Sequence, residues 1–495
     1  MVDNYAKKDD NALLLGIDLS YDFTKITYWD KKNNKPIMLK TTNENNSYMI
    51  PTVMLYEPLS EEWLIGEDAV LNRQSTNDNW VTDFIDKEDS EIAICDKKYT
   101  YTQLLSIFID KCFEYLNKIN PKFYIKSIMI TLNNPTKESF DNVYKAFDLL
   151  GYDYKKIQIQ GHLESFVYYV LNNDITRRKI GLFDLNVNSC KYFQAVFRSN
   201  KEPYEIGIET LDYSDELSGK QIENQVKEYV FESYMNHSQK DYLSDEDEIE
   251  LEKFFYQNIN YIKTKFAENK AANVSFDFVN PPIKAILNPM GLYKYLSDQD
   301  YKFNNIINNT FKDTIIPSVY LTGNGFSLPW ATKSLQTLLT GRKVTQSQKL
   351  FAKGACYTLA AQNKLIKAPK CIIRGPGILE KDIGLKLEIK GKEQFRPIIT
   401  SGTPWYNAFK KVKIIIDDID KIPVFLKENR GEIVKVGDIE LSDFPERPPK
   451  TTKLEVVFRL YEPDKFTVIV EDLGFGKLFE KTNKKWEEEF PINIE

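Results

Sequence analysis

Residues 16–23, GIDLSYDF, follow the apolar lead-in NALLL (11–15) and read as a strand running into a turn. A strand that ends in aspartate, here Asp18, is a common place to hold metal-bound phosphate. The turn beyond it carries Ser20, Tyr21 and Asp22, where a phosphate cradle calls for glycine and hydroxyls. Outward from this stretch, TKITYW (24–29) alternates as a second strand, and TQLLSIFIDKCFEYLNK (102–118) is helical, with Leu105, Phe108, Cys112 and Leu116 on one stripe. FYIKSIMITL (123–132) is a strand. NPTKESFDNVYKAFDLLG (134–151) is a helix stopped by Gly151, and KIGLFDL (179–185) opens a second series of the same kind. Strand–helix alternation of this type predicts α/β layers, and its recurrence predicts two related lobes.

Bulk properties bound the rest. A chain of 495 residues is too long for one ordinary core. Its net charge of −6 argues against nucleic acid as a main partner, because neutralising phosphates needs a basic face. The first residues, MVDNYAKKDDN, lack an apolar signal-peptide core, and no window approaches the length of a membrane span. Five scattered cysteines without a CxxC, and only two histidines (His162 and His237), give little material for a zinc site. Free thiols in a reducing cytosol, and hence a cytoplasmic protein, are the expectation. The acidic run SDEDEIELE (244–252) reads as a helix start, with Ser244 as N-cap and Asp247 at N3. From about Lys367 the texture changes to short strands separated by turns such as EPDK and LGFGK, an all-β domain of about 120 residues.

Three segments then line up in order: GIDLSYDF, GLFDLNVNSCKYF (181–193) and VYLTGNGFSLP (319–329). With IPTVMLYEPLSEEWLIGEDAV (50–70), KGACYTLA (353–360) and the β-rich stretch 437–477, they resemble the seventy-kilodalton heat-shock chaperone family of the actin-like ATPase superfamily. The resemblance implies an α/β actin-like, two-lobed ATPase fold built from duplicated ribonuclease-H-like lobes, followed by an all-β sandwich. The expected boundaries are lobe I at 1–178, lobe II at 179–366, a linker at 367–378 and a peptide-binding-like sandwich at 379–495. It further implies Mg-ATP or Mg-ADP between the lobes, with Asp18 and Asp184 holding hydrated metal. Ser189, Lys263, Gly323 and Gly325 fall at nucleotide positions, and Ile415, Ile419, Ile422 and Val424 at a cleft for extended peptides.

The sequence departs from that pattern where the chemistry is done. Glycine lets main chain approach phosphate and take positive φ; Val187 resists that conformation, Tyr21 adds bulk and Asp22 adds like charge. At ~4 Å and an effective dielectric of ~20 such a charge pair is worth on the order of 4 kcal/mol. The catalytic lysine expected near Asp83–Asp86 is missing, Gly161 and Lys191 stand where the family has acids, and Arg374 and Pro376 interrupt the linker. The family's helical lid finds no counterpart in residues 379–495, so none is expected. The expectation is a chaperone-like pseudo-ATPase, a protein- or peptide-binding scaffold with no catalytic residue and no required cofactor. A weak ATP-dependent chaperone and another actin-superfamily role, filament or kinase, are the alternatives.

Overall fold

The computed structural model describes residues 11–492 except 42–47, 74–78, 88–89, 134, 174–178, 200–201, 214–216, 313–314, 329, 331, 368, 390, 418–419, 429–430, 445 and 483. The chain is mixed α/β with a β-rich C-terminal region. It divides into two compact units, one of residues 1–134 and 141–370, the other of residues 135–140 and 371–495.

The first unit contains two sheets of the same topology. In the first, β1 (Ala12–Asp18), β2 (Phe23–Asp30) and β3 (Lys35–Met38) form an antiparallel meander, and β4 (Tyr124–Leu132) and β5 (Ile157–Gly161) lie parallel to β1 on its other side. The spatial order is β5-β4-β1-β2-β3, with the short strand Ile50–Pro51 also pairing with β2. In the second, β6 (Lys179–Leu185), β7 (Cys190–Phe197) and β8 (Tyr204–Tyr213) repeat the meander, and β9 (Ser318–Thr322) and β10 (Lys343–Gln346) repeat the parallel pair, in the order β10-β9-β6-β7-β8. All seven residues of β1 are buried, as expected for a central strand covered on both faces.

The longer helices are α1 (Tyr101–Ile119), α2 (Lys137–Leu149), α3 (His162–Asn173), α4 (Gly219–Ser238), α5 (Asp245–Ala267), α6 (Pro289–Phe311), α7 (Thr332–Leu339) and α8 (Leu350–Gln362). Helix α5 starts with the capping box read from the sequence. The Ser244 hydroxyl accepts from the Asp247 N–H, and the Asp247 carboxylate accepts from the Ser244 N–H in return. Asp247 also takes Lys240 Nζ at 2.6 Å and the Tyr234 hydroxyl at 3.1 Å, so the acidic run anchors a helix start. Tyr192, Phe183, Phe303, Phe311 and Trp330 fill the core of the second half.

The second unit has two antiparallel four-stranded sheets. With β11 (Lys381–Ile389), β12 (Lys392–Ile399), β13 (Phe409–Ile416), β14 (Lys421–Glu428), β15 (Ile433–Glu440), β16 (Thr452–Leu460), β17 (Lys465–Asp472) and β18 (Lys485–Pro491), the orders are β12-β11-β14-β15 and β13-β16-β17-β18. Alternate residues of both sheets, among them Ile422, Val424, Leu426, Val456, Phe458 and Val468, share one core. Arg447 grips the fully buried Asp472 through two 2.8 Å bonds, and Gly474 N and Thr482 N and Oγ1 donate to the same carboxylate. Both oxygens of that buried charge are met by several donors, which its burial demands.

Candidate functional site: a polar cavity walled by two Asp–Lys hairpins

The ends of β1 and β6 converge on a cavity of about 250 Å³. Asp18 closes β1, and Lys25 stands opposite it in the β1–β2 register. Asp184, one residue from the end of β6, has Lys191 opposite it in the β6–β7 register. All four residues line the cavity, with Ser20, Tyr21, Asp22, Asn133, His162, Ser189 and Gly323 among their neighbours.

Around Asp18 the site is saturated. Lys25 Nζ lies 3.0 Å from Oδ2, and the His162 Nε2 at the start of α3 lies 3.0 Å from Oδ1. The Ser20 hydroxyl donates to Oδ1 at 2.7 Å. Burial alone pushes the Asp18 carboxyl up. Lys25 and His162, with hydrogen bonds from His162 and Ser20, outweigh burial and hold it far below the usual carboxylate range. The reciprocal holds for Lys25, where Asp18 and Asp22 outweigh burial and raise the ammonium. The His162 ring stacks on Phe351 of α8 at 3.8 Å, which fixes its plane.

Around Asp184 the site is not saturated. The residue is 3% exposed, yet its carboxylate has no hydrogen bond or ion pair with any described residue. Burial pushes it up to about 6. His162 and Lys25 oppose that rise, and Asp22 and Asp18 add to it. Desolvation likewise raises Asp22, against the pull of Lys25.

The loops that the resemblance assigns to phosphate are closed on themselves. Asn186 Oδ1 accepts the main-chain N–H of Asn188 and of Ser189, each at 3.0 Å, and Asn186 N donates back to Ser189 O. This is an Asx turn, and it uses the donors a phosphate would need. In the first loop Asp22 Oδ1 accepts from Phe23 N at 2.9 Å. The Tyr21 hydroxyl donates to Asp86 at 2.7 Å, and burial with that carboxylate pushes the phenol up. In the third loop Gly323 takes φ +93°, and a Cβ there would fall 2.2 Å from Leu185 O, so only glycine fits. The Gln348 amide then clamps Gly323, accepting from its N–H at 3.0 Å and donating to its C=O at 2.7 Å.

The residues predicted for nucleotide thus separate. Asp18, Asp184, Ser189 and Gly323 line the cavity. Gly325 does not: it packs on Leu185 and accepts from Trp330 Nε1 at 2.5 Å. Lys263 is tied instead to Glu223 at 2.8 Å. Of the predicted peptide cleft, Ile422 and Val424 are core residues of the sandwich, because they share the inward face of β14 with Leu426. Ile415 is 58% exposed, and Ile419 lies outside the described residues. Among the described residues no group of three or more His, Cys, Asp or Glu side chains is placed to hold a metal ion.

Comparison with known families adds one assignment. The family described as family of unknown function (DUF5716), C-terminal, matches residues 35–373. The chain belongs to this family. A domain of unknown function (DUF8552) matches residues 378–492, and no curated protein matches the chain. Within the DUF5716 match lie His162, Asp184 and Lys191; the Asp18–Lys25 hairpin precedes it. In this DUF5716 chain the sequence reading missed Lys25 and His162. A signal for Lys25 was present: DLSYDFTK (18–25) and DLNVNSCK (184–191) are both Asp-Leu, five residues, then Lys, a spacing that sets the charges opposite one another in a hairpin. His162 follows Gly161, where the resemblance puts an acid, so the polar group sits one residue further on.

Proposed function

We propose that the α/β unit is a pseudo-ATPase of actin-like design, in which the protein's own groups stand where Mg-nucleotide would bind, and that the chain serves as a binding scaffold for protein partners. The observation that carries this reading is the 3.0 Å contact of Lys25 Nζ with Asp18. An ammonium fixed on that carboxylate supplies the positive charge a magnesium ion would bring, and the Asn186 carbonyl oxygen takes two N–H groups that phosphate oxygens would take. The residues present therefore do not suit Mg-ATP or Mg-ADP. The repeated sheet order, with Asp18 and Asp184 on equivalent strands, supports descent from such a site. The chaperone component rests on the resemblance alone, and the burial of Ile422 and Val424 moves any peptide contact to exposed positions such as Ile415.

A weak Mg-ATPase is the second reading, favoured by Asp18 and Asp184 facing one cavity. Calorimetry on the full chain with Mg-ATP and Mg-ADP separates the two. The expected result is no heat and no thermal shift at millimolar nucleotide. Binding tighter than about 10 µM, abolished by Asp184→Ala, replaces the first reading with the second.

A further inference from the structure

We propose that the cavity binds a small organic ammonium compound, held by the Asp184 carboxylate together with Asp22. The inference rests on the reading above, in that the cavity is taken not to be a nucleotide site. Its starting point is the one buried carboxylate in the cavity wall that lacks a partner among the described residues, Asp184. Buried charges are ordinarily paired and hydrogen-bonded, and the equivalent Asp18 has three donors.

A second orphan lies in the same wall. The Asp18 carboxylate only accepts, so His162 Nε2 carries the hydrogen in their 3.0 Å contact. The other ring nitrogen, His162 Nδ1, is buried without a partner on a residue 4% exposed. Both well-buried residues thus leave a polar group without a protein partner in the cavity wall, and the carboxylate of the two asks for a donor. Asn133 Oδ1 is a further unpartnered acceptor on the same wall, whereas Asn186, its oxygen held in the Asx turn, leaves its Nδ2 donor unpartnered there.

Charge selects an ammonium over a neutral donor. The lining holds three carboxylates (Asp18, Asp22 and Asp184) against two lysine ammonium groups (Lys25 and Lys191). Anions are disfavoured twice, by that balance and by loops whose N–H groups Asn186 and Asp22 already occupy. The volume of about 250 Å³ equals the liquid volume of roughly eight waters at ~30 Å³ each, which limits the ligand to a small molecule.

The test titrates the full chain at neutral pH with methylammonium, guanidinium and butane-1,4-diamine, against butane-1,4-diol and potassium chloride at matched ionic strength, and separately with Mg-ATP. The expected result is saturable binding of at least one of the three cations, one per chain, with no binding of the diol. In Asp184→Asn that binding weakens about tenfold or more, as loss of a charge-assisted bond requires, while the thermal midpoint of the variant reports that it is folded. In Tyr242→Ser, an exposed position away from the cavity wall, it is unchanged. The proposal is overturned if no cation saturates, if the diol binds as well as the diamine, or if folded Asp184→Asn binds undiminished. Mg-ATP binding without cation binding overturns the pseudo-ATPase reading as well; absence of both overturns this inference alone.

Discussion

Asp18 and Asp184 stand on equivalent strands of two sheets with the same strand order, each opposite a lysine, and their surroundings treat them in opposite ways. The first sheet's aspartate is met by Lys25, His162 and Ser20, whereas Asp184 of the second is without a hydrogen bond among the described residues. Backbone duplication therefore repeats the position of a charge without repeating its electrostatics. What sets the electrostatics is which side chains arrive from elsewhere, and α3 brings His162 to Asp18 across 144 positions of sequence.

The comparison is broken most severely at Lys25. Lys25→Met leaves Asp18 buried with its ammonium removed, and chemical denaturation should show a loss of about 3–5 kcal/mol. The double variant Asp18→Leu/Lys25→Met should recover most of that loss, because the pair is then replaced by apolar groups of similar size. No recovery would show that Lys25 acts by packing.

Asp184→Asn should have the opposite sign. The folded-state value of about 6 lies above the ordinary 3.8, so the stability this group contributes is complete below 3.8 and is lost as pH rises through about 6. Above pH 6 the wild-type chain carries a penalty of about 3 kcal/mol, the cost of ionising a carboxyl held about two pH units above its ordinary value. The variant should therefore be more stable than wild type at pH 8 by up to that amount, and the advantage should shrink on acidification to pH 4. Asp18, held low, contributes stability above 3.8 that is lost only as pH falls below it, so Asp18→Asn should be destabilising throughout the range from pH 5 to 8. Melting curves of the two variants against pH check both signs.

Smaller effects sharpen the contrast. Asn186→Ala releases the N–H groups of Asn188 and Ser189 and should cost about 1–2 kcal/mol in denaturant. Ser20→Ala removes one of the three bonds to Asp18 and should cost about 1 kcal/mol. Ser189→Ala, whose main chain rather than hydroxyl makes the turn, should stay within about 0.5 kcal/mol of wild type.

Much of the local structure was legible because it is written in local signals. The Ser244–Asp247 capping box sits as read, the stripe Leu105, Phe108, Cys112 and Leu116 is the buried face of α1, and Gly151 takes φ +74° just beyond α2. The nucleotide and peptide assignments were less accessible because periodicity gives the side of an element and not what lies on that side. Ile422 and Val424 alternate as either a cleft or a core would require, and only the facing sheet makes them core. Lys25 alternates inward like an apolar residue, and nothing within TKITYW announces that an aspartate and a histidine await it.

Helix α8 packs on β1 and α3 so closely that each contact leaves room only for glycine on one side. A Cβ on Gly16 would fall 2.4 Å from Ala352 O, and one on Gly354 would fall 1.9 Å from Ser165 O. Strand β1 is thus covered on its Gly16 side by a helix translated only after residue 349. That apolar side of the sheet stays open to other chains until nearly the whole α/β unit has emerged.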